Sequence, residues 1–283
     1  MQKLAFAKMN GAGNDFVLLD NRASHLALDR AAVARLCDRH RGVGADGVLI
    51  VEPPAIDGPR AHYRMRYYNA DGGEVEMCGN GARCFARFAA HLDAGGNGAS
   101  RERHGELAFQ TIAGVIHARI EGEEVALVMS QPKDGRDVSG LIVAEEILAR
   151  LAFLNTGVPH VVAQVADTEK VDVPRLGAAL RYHEEFAPAG TNANFMQWLG
   201  PREIRVRTYE RGVEGETLAC GTGCVASALI FAETNSLAAG PVAVQVRGGD
   251  TLRVGFQRTG PFAFENVTLT GPADFVFHGE IAV

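Results

Sequence analysis

Two short stretches of this chain repeat one another, and that repeat constrains the fold more than any other feature. Around Cys78 the order is Met77-Cys78-Gly79-Asn80-Gly81-Ala82-Arg83-Cys84, then Phe85, Phe88, Ala89 and Leu92 at helical spacing. Around Cys220 it is Ala219-Cys220-Gly221-Thr222-Gly223-Cys224, then Val225, Ala228, Leu229 and Ala232. Each reads as a strand or loop, a Cys-Gly-x-Gly turn and an apolar helix. The two cysteines are 142 positions apart, and other landmarks keep almost that spacing in the same order. Gly13 and Gly157 are offset by 144, and Gly44-Ala45-Asp46 and Gly190-Thr191-Asn192 by 146. A nearly constant offset marks one half duplicated. The expectation is an α+β chain of two pseudo-symmetric lobes facing each other across a cleft, with the join near Glu121-Gly122-Glu123.

The 283 residues suit two domains. Short β-type runs dominate: Phe16–Leu19, Gly47–Glu52, His62–Tyr68, Glu106–Thr111, Val115–Ile120 and Val125–Met129 in the first half. Val161–Val165, Asn194–Leu199, Glu203–Arg207, Val242–Arg247, Leu252–Phe256 and Phe262–Leu269 follow in the second. Largely antiparallel sheets are expected. Asp29 is placed to cap a helix ending near Gly42, Asp172 before Val173-Pro174 to start another, and two more follow Cys78 and Cys220.

Net charge is −6, so no electrostatic footprint for nucleic acid or an anionic membrane is visible. The N-terminal apolar run is broken by Lys8 and Asn10, and no stretch reaches the roughly 18 apolar residues of a membrane span. A cytoplasmic protein is the default. Five cysteines, an odd number, fit thiols better than a disulfide framework. Cys37, Cys84 and Cys224 fall at packing positions of helices and read as structural.

Cys78 and Cys220 are different, because a cysteine just before a helix meets unsatisfied N–H groups that favour the thiolate. Both Cys-Gly-x-Gly turns can also hold an anion. Facing each other, they would bind one carboxylate and set a sulfur on either side of the carbon bearing it. Inverting an amino-acid stereocentre needs a thiolate base on one face and a thiol acid on the other, and no cofactor. The rival class is thiol-dependent redox chemistry, although duplicated anion-binding turns have no obvious purpose there. No metal is expected, since neither Cys-x-x-Cys nor a histidine ligand cluster occurs. Gly42-Val43-Gly44-Ala45-Asp46-Gly47 matches G-x-G-x-x-G but follows a helix and precedes a strand, the reverse of the dinucleotide-binding context.

Met9–Phe16, Asn69–Cys84 and Tyr209–Gly223 closely resemble diaminopimelate epimerases, with likeness running from Lys3 to Gly271. The resemblance implies cofactor-independent interconversion of LL- and meso-diaminopimelate, in lysine and peptidoglycan precursor synthesis, by a homodimer. It implies two lobes, each a β-barrel around a central helix: 1–121 with 273–283 returning to it, and 122–272. Position by position, Cys78 and Cys220 resemble the two bases. Gly79, Asn80, Gly221 and Thr222 resemble the donors to the carboxylate at the reacting centre, and Asn14, Asn69, Asn192, Glu210 and Arg211 the residues that hold the substrate. His160, with Glu210, resembles a thiol-tuning group. Taken alone, Glu210-Arg211 is equally what a surface ion pair looks like, Asn14 and Asn69 what turns use, and His160 a structural histidine. Two departures stand out: Val158 and Gly47 lack amides found at those positions in relatives. A racemase or epimerase of another amino acid is therefore the first alternative.

Overall fold

The computed structural model describes residues 3–23, 25–95, 105–144, 146, 147 and 150–282. Val283, the last residue of the expected returning strand, lies outside them. The chain forms two compact units, Met1–Leu127 with Gly271–Val283, and Val128–Thr270. The first contains β1 (Lys3–Gly11), β2 (Asn14–Asp20), α1 (Arg30–Cys37), β3 (Gly47–Glu52), β4 (Tyr63–Asn69), β5 (Glu74–Val75), α2 (Gly79–Asp93), β6 (Gly105–Thr111), β7 (Gly114–Glu121) and β8 (Glu124–Val128). The second contains β9 (Lys133–Asp137), β10 (Ile142–Val143), β11 (Glu146–Ile147), β12 (Leu151–Asn155), β13 (Pro159–Gln164), α3 (Val173–Arg181), β14 (Asn192–Gly200), β15 (Glu203–Glu210), β16 (Gly215–Thr217), α4 (Gly221–Thr234), β17 (Val242–Val246), β18 (Thr251–Gly260) and β19 (Ala263–Pro272). The closing strand, β20 (Asp274–Ala282), pairs antiparallel with β1 in the first unit.

Strand pairing makes the duplication explicit. In the first unit neighbours run β20-β1-β2-β3-β4-β6-β7-β8, antiparallel except β2–β3 and β4–β6. In the second they run β9-β12-β13-β14-β15-β17-β18-β19, antiparallel except β13–β14 and β15–β17. The two parallel joins fall at the same places in both orders. Parallel neighbours need a crossover, and helices supply it: α1 and α3 at the first join, α2 and α4 at the second. Every residue of α4 from Gly223 to Ala232 is buried, so this helix is surrounded by its own unit, packing on β12 to β15, β17 and β18. Along α2, packed on β1, β2, β3 and β7, Cys84, Phe85 and even Arg83 are buried.

Local chemistry accounts for the helix ends. Asp29 caps α1 by accepting from Ala32 N–H at 2.8 Å, and Asp172 caps α3 by accepting from Arg175 N–H at 3.2 Å. The expectation that the first of these helices runs to near Gly42 is wrong. It stops at Cys37 because the Asp38 carboxylate takes the His40 and Arg41 N–H groups, and Val43 N–H turns back to Leu36 O. β1 is equally unexpected from its broken apolar pattern. Its interruption, Lys8, is buried because Asp15 takes its ammonium at 2.7 Å.

Candidate active site

In the first unit, sheet register gathers three positions at one end. Phe16 lies opposite Gly47, and Gly47 opposite Asn69, so the start of β2 with Asn14, the start of β3 and the end of β4 come together. Cys78 is the N-cap of α2, extended at φ −138° and ψ 126°, with its carbonyl accepting from Ala82 N–H at 2.8 Å. The first-turn N–H groups therefore point out of the helix start beside a half-buried sulfur. A Cβ added at Gly79 would meet nothing within 4 Å. Asn80 Nδ2 donates to Asn14 Oδ1 at 2.5 Å, Asn14 Nδ2 to Asp46 Oδ2 at 3.1 Å, and Arg83 Nη2 to Asn80 Oδ1 at 2.9 Å. A buried arginine thus orients the amide chain. Burial pushes the Asp15 carboxyl up, but hydrogen bonds from Arg39 and Lys8 outweigh it and hold the group at about 2. Gly47 also has a local explanation: a Cβ there would sit 2.5 Å from Tyr68 O and 2.7 Å from the Tyr67 ring, so Tyr67 fills the space of a longer side chain.

The second unit repeats the arrangement with different chemistry. Cys220 is the N-cap of α4, extended at φ −113° and ψ 108°, and buried. His160 lies opposite Asn192, and Ala193 opposite Tyr209, which puts His160, Asn192, Glu210 and Arg211 at one sheet end. Asn192 donates to Pro159 O at 2.9 Å and accepts the Arg211 N–H at 2.8 Å. The Arg211 guanidinium donates to Ala189 O at 3.0 Å. Burial raises the Glu210 carboxyl, and the nearby Thr217 hydroxyl eases that shift without completing a hydrogen bond by geometry. Thr222 is fixed by Thr156 Oγ1, which donates to its carbonyl at 2.9 Å.

The helix start does not make Cys220 a ready thiolate: burial, and then the Glu210 charge, push its thiol well above the ordinary range. The Thr222 hydroxyl, 3.6 Å from Sγ, and the Gly223 N–H pull the other way and lose. Loss of water outweighs the helix end because the sulfur has almost no solvent to exchange for it. Cys37 and Cys84 are packing residues, raised by burial to about 11 and about 12, and all five cysteines are free of disulfides. Among the described residues no group of three or more His, Cys, Asp or Glu side chains could hold a metal ion, and no helix is long and apolar enough to cross a membrane.

Several polar residues escaped the sequence reading. Asn194, Thr208 and Thr217 stand around His160 and Glu210, and Asp46, Asp15 and Lys8 stand behind Asn14. The Asn192-x-Asn194 spacing, which puts both amides on one face of a strand, was the available signal. A cavity of about 680 Å³ in the second unit lies elsewhere, lined by Ile230 and Thr234 toward the C-terminal end of α4.

The duplicated strand order defines a structural class that has solved members. A PhzF-family phenazine biosynthesis protein of Bacillus anthracis superposes with a TM-score of 0.72 at 16% identity over all of both chains. A probable proline racemase of Agrobacterium radiobacter K84 gives 0.66 at 16%, covering 99% of this chain and 93% of that one. Within this class, the family model for diaminopimelate epimerase matches residues 6–133 and 152–276. The diaminopimelate epimerase of Aquifex aeolicus (strain VF5) is 40% identical over 289 residues, 99% of this chain and 98% of that protein. That of Azoarcus sp. (strain BH72) is 41% identical over 290 residues, 98% of each. The chain belongs to the diaminopimelate epimerase family and is an isomerase.

Proposed function

We propose that the chain epimerises LL-diaminopimelate to meso-diaminopimelate with Cys78 and Cys220 as its two acid–base groups. One thiolate takes the α-proton from one face of the carbon, and the other group, as thiol, delivers a proton to the opposite face. The first sulfur ends as thiol and the second as thiolate, so proton and charge balance and the roles exchange for the return reaction. The observation that carries this reading is the pair of cysteine N-caps with unequal surroundings. Cys78 is half-buried beside open helix N–H groups, whereas Cys220 is buried against Glu210 and holds its proton. Such a pair begins as base and acid.

In this reading Gly79 with Asn80, and Gly221 with Thr222, offer backbone N–H groups to the substrate carboxylate as charge moves into it. Asn14, Asn69, Asn192, Glu210 and Arg211 hold the remainder of the molecule, and His160 tunes the thiol beside it. The carboxylate preference of Arg211 and the acid of Glu210 suit a substrate with a second amino-acid end. Homodimerisation is supported by Val276 and Phe277 of β20, exposed at 57% and 46%. Five reduced thiols favour the cytoplasm.

Incubation with LL-diaminopimelate in D₂O under reducing conditions tests the proposal: deuterium should enter at the α-carbon as the meso isomer forms. Absence of exchange would falsify it. Proline and other amino acids run in parallel address the alternative specificity, which Val158 and the tyrosine-filled space at Gly47 keep in view.

A further inference from the structure

His160 is wholly buried, and its Nε2 has no hydrogen-bond partner among the described residues. Its other ring nitrogen is engaged: Asn194 Nδ2 stands 3.2 Å from His160 Nδ1. The direction of that bond follows from the second contact of the same amide. Asn194 Nδ2 also lies 3.0 Å from Val161 O, and a carbonyl only accepts. The Asn194 –NH₂ group must therefore face this side, with Oδ1 turned to the Thr208 hydroxyl at 2.9 Å. An –NH₂ group only donates, so His160 Nδ1 must be the bare nitrogen. The ring proton is then on Nε2.

This network lies against the start of α4. A Cβ at Gly223 would fall 2.3 Å from Asn194 Oδ1 and 3.4 Å from the Cβ of Cys220. Burial, and then the Arg211 charge, hold the His160 pKa at about 3, so the imidazole is neutral wherever the enzyme would work. A neutral, buried N–H without an acceptor is costly to leave in a protein interior and needs an explanation.

We propose that Asn194 is a positioning residue that locks His160 in the Nε2–H tautomer, keeping a neutral hydrogen-bond donor in reserve for negative charge that forms at the Cys220 helix start during turnover. The inference rests on the two-thiol reading and adds the residue that sets its histidine. Thr208 and Gly223 belong to the same device: one orients the Asn194 amide, and the other leaves room for its oxygen.

The experiment is ¹⁵N NMR of histidine-labelled full-length protein, with the His160 signals assigned by their loss in His160→Gln. Wild type should show a pyridine-type Nδ1 and a pyrrole-type Nε2, unchanged between pH 8 and pH 5. Asn194→Asp replaces the donor by an acceptor and should move the proton to Nδ1, with kcat down about 10- to 100-fold and KM little changed. If that variant does not fold, Asn194→Ala serves, with a loss of the single-tautomer pattern. An Nδ1–H tautomer in wild type overturns the inference, as does a folded variant that keeps both the Nε2–H pattern and the kcat. Full epimerisation by Cys220→Ala would instead sink the two-thiol reading, a result the tautomer measurement does not depend on.

Discussion

The two Cys-Gly-x-Gly turns share a sequence pattern but not the space around it, so one substitution made in both should give opposite results. Alanine at Gly81 would place its Cβ 3.4 Å from the Phe16 ring and 3.5 Å from Leu49, which is ordinary contact. At Gly223 the same atom would lie 2.3 Å from Asn194 Oδ1. Relief to about 3.3 Å moves that oxygen by ~1 Å, since carbon–oxygen contacts settle near that distance. Asn194 is tied by bonds of 2.9, 3.0 and 3.2 Å to Thr208, Val161 and His160, and such a shift stretches all three beyond hydrogen-bond range. At about 1 kcal/mol net for each, the loss is roughly 3 kcal/mol. Replacing a helical glycine by alanine returns up to ~1 kcal/mol in both variants. Gly223→Ala should therefore be destabilised by about 2 kcal/mol while Gly81→Ala is neutral or slightly stabilised.

Thermal unfolding of the two variants beside wild type measures the difference, expected as a Tm lower by roughly 4 to 8 °C for Gly223→Ala alone, on the scaling for units of this size. Equal Tm values for the two variants would refute the reasoning, because they would mean that Asn194 is not held as its three hydrogen bonds indicate. A second readout sharpens the test. Epimerisation by Gly223→Ala should fall even below its melting temperature, since the displaced amide no longer sets the ring proton of His160.

Three other outcomes follow from the charges and their surroundings. Iodoacetamide at neutral pH should label Cys78 before Cys220, Cys37 or Cys84, as read by peptide mass spectrometry; prior labelling of Cys220 would contradict its raised pKa. Glu210→Gln removes a negative charge that opposes the Cys220 thiolate, so the pH profile of Cys220 alkylation should shift downward yet stay above an ordinary cysteine, because burial, the larger cause, remains. Arg87→Ala deletes a guanidinium that donates to Ala273 O at 2.8 Å and lies 3.5 Å from Asp274, where β20 begins. Amide exchange along β20 should speed up about tenfold, the equivalent of a charged hydrogen bond, and unchanged protection would show that pairing with β1 alone holds the strand.

The duplication was legible because a Cys-Gly-x-Gly turn opening an apolar helix is a local pattern, and its offset survives small insertions. Most strands were legible too, since Gly47–Glu52 or Glu203–Glu210 carry β-type runs bounded by turn residues. β1 was not, because Lys8 breaks its alternation and its burial depends on partners outside the strand, the Asp15 carboxylate and the Gly44 carbonyl. β12 escaped for a different reason: Leu151–Asn155 has no turn signal on its N-terminal side. At the site, the two cysteines that open helices could be read from motif order, whereas Asn194, Thr208 and Thr217 could not. Nor could protonation. The pKa of Cys220 depends on how completely its surroundings exclude water and on the Glu210 charge, and the tautomer of His160 on an amide 34 residues away. Those are properties of packing, which no spacing rule along one helix or strand expresses.

Comparison of the two helix starts shows what duplication conserves and what it releases. Both keep an extended cysteine, a glycine-rich first turn and a buried helix, because these follow from backbone geometry and the two strand orders are the same. Five residues after each cysteine the halves part: Arg83 is buried in α2, and Val225 takes the equivalent place in α4. Arg83 donates through Nε to Pro272 O at 3.2 Å, on the segment that leads β20 back to β1. In the second unit β9 occupies the place of β20 and enters from the preceding strand, so no distant segment needs anchoring and an apolar residue suffices. At this helix position a buried cation is thus found in the first half only. That cation also orients Asn80 beside Cys78, whereas in the other half the Glu210 charge acts on Cys220, and a neutral histidine is held by Asn194. Two helix starts of like backbone then carry cysteines in unlike surroundings, and the proposed pairing of one base with one acid is better served by that inequality than by perfect symmetry.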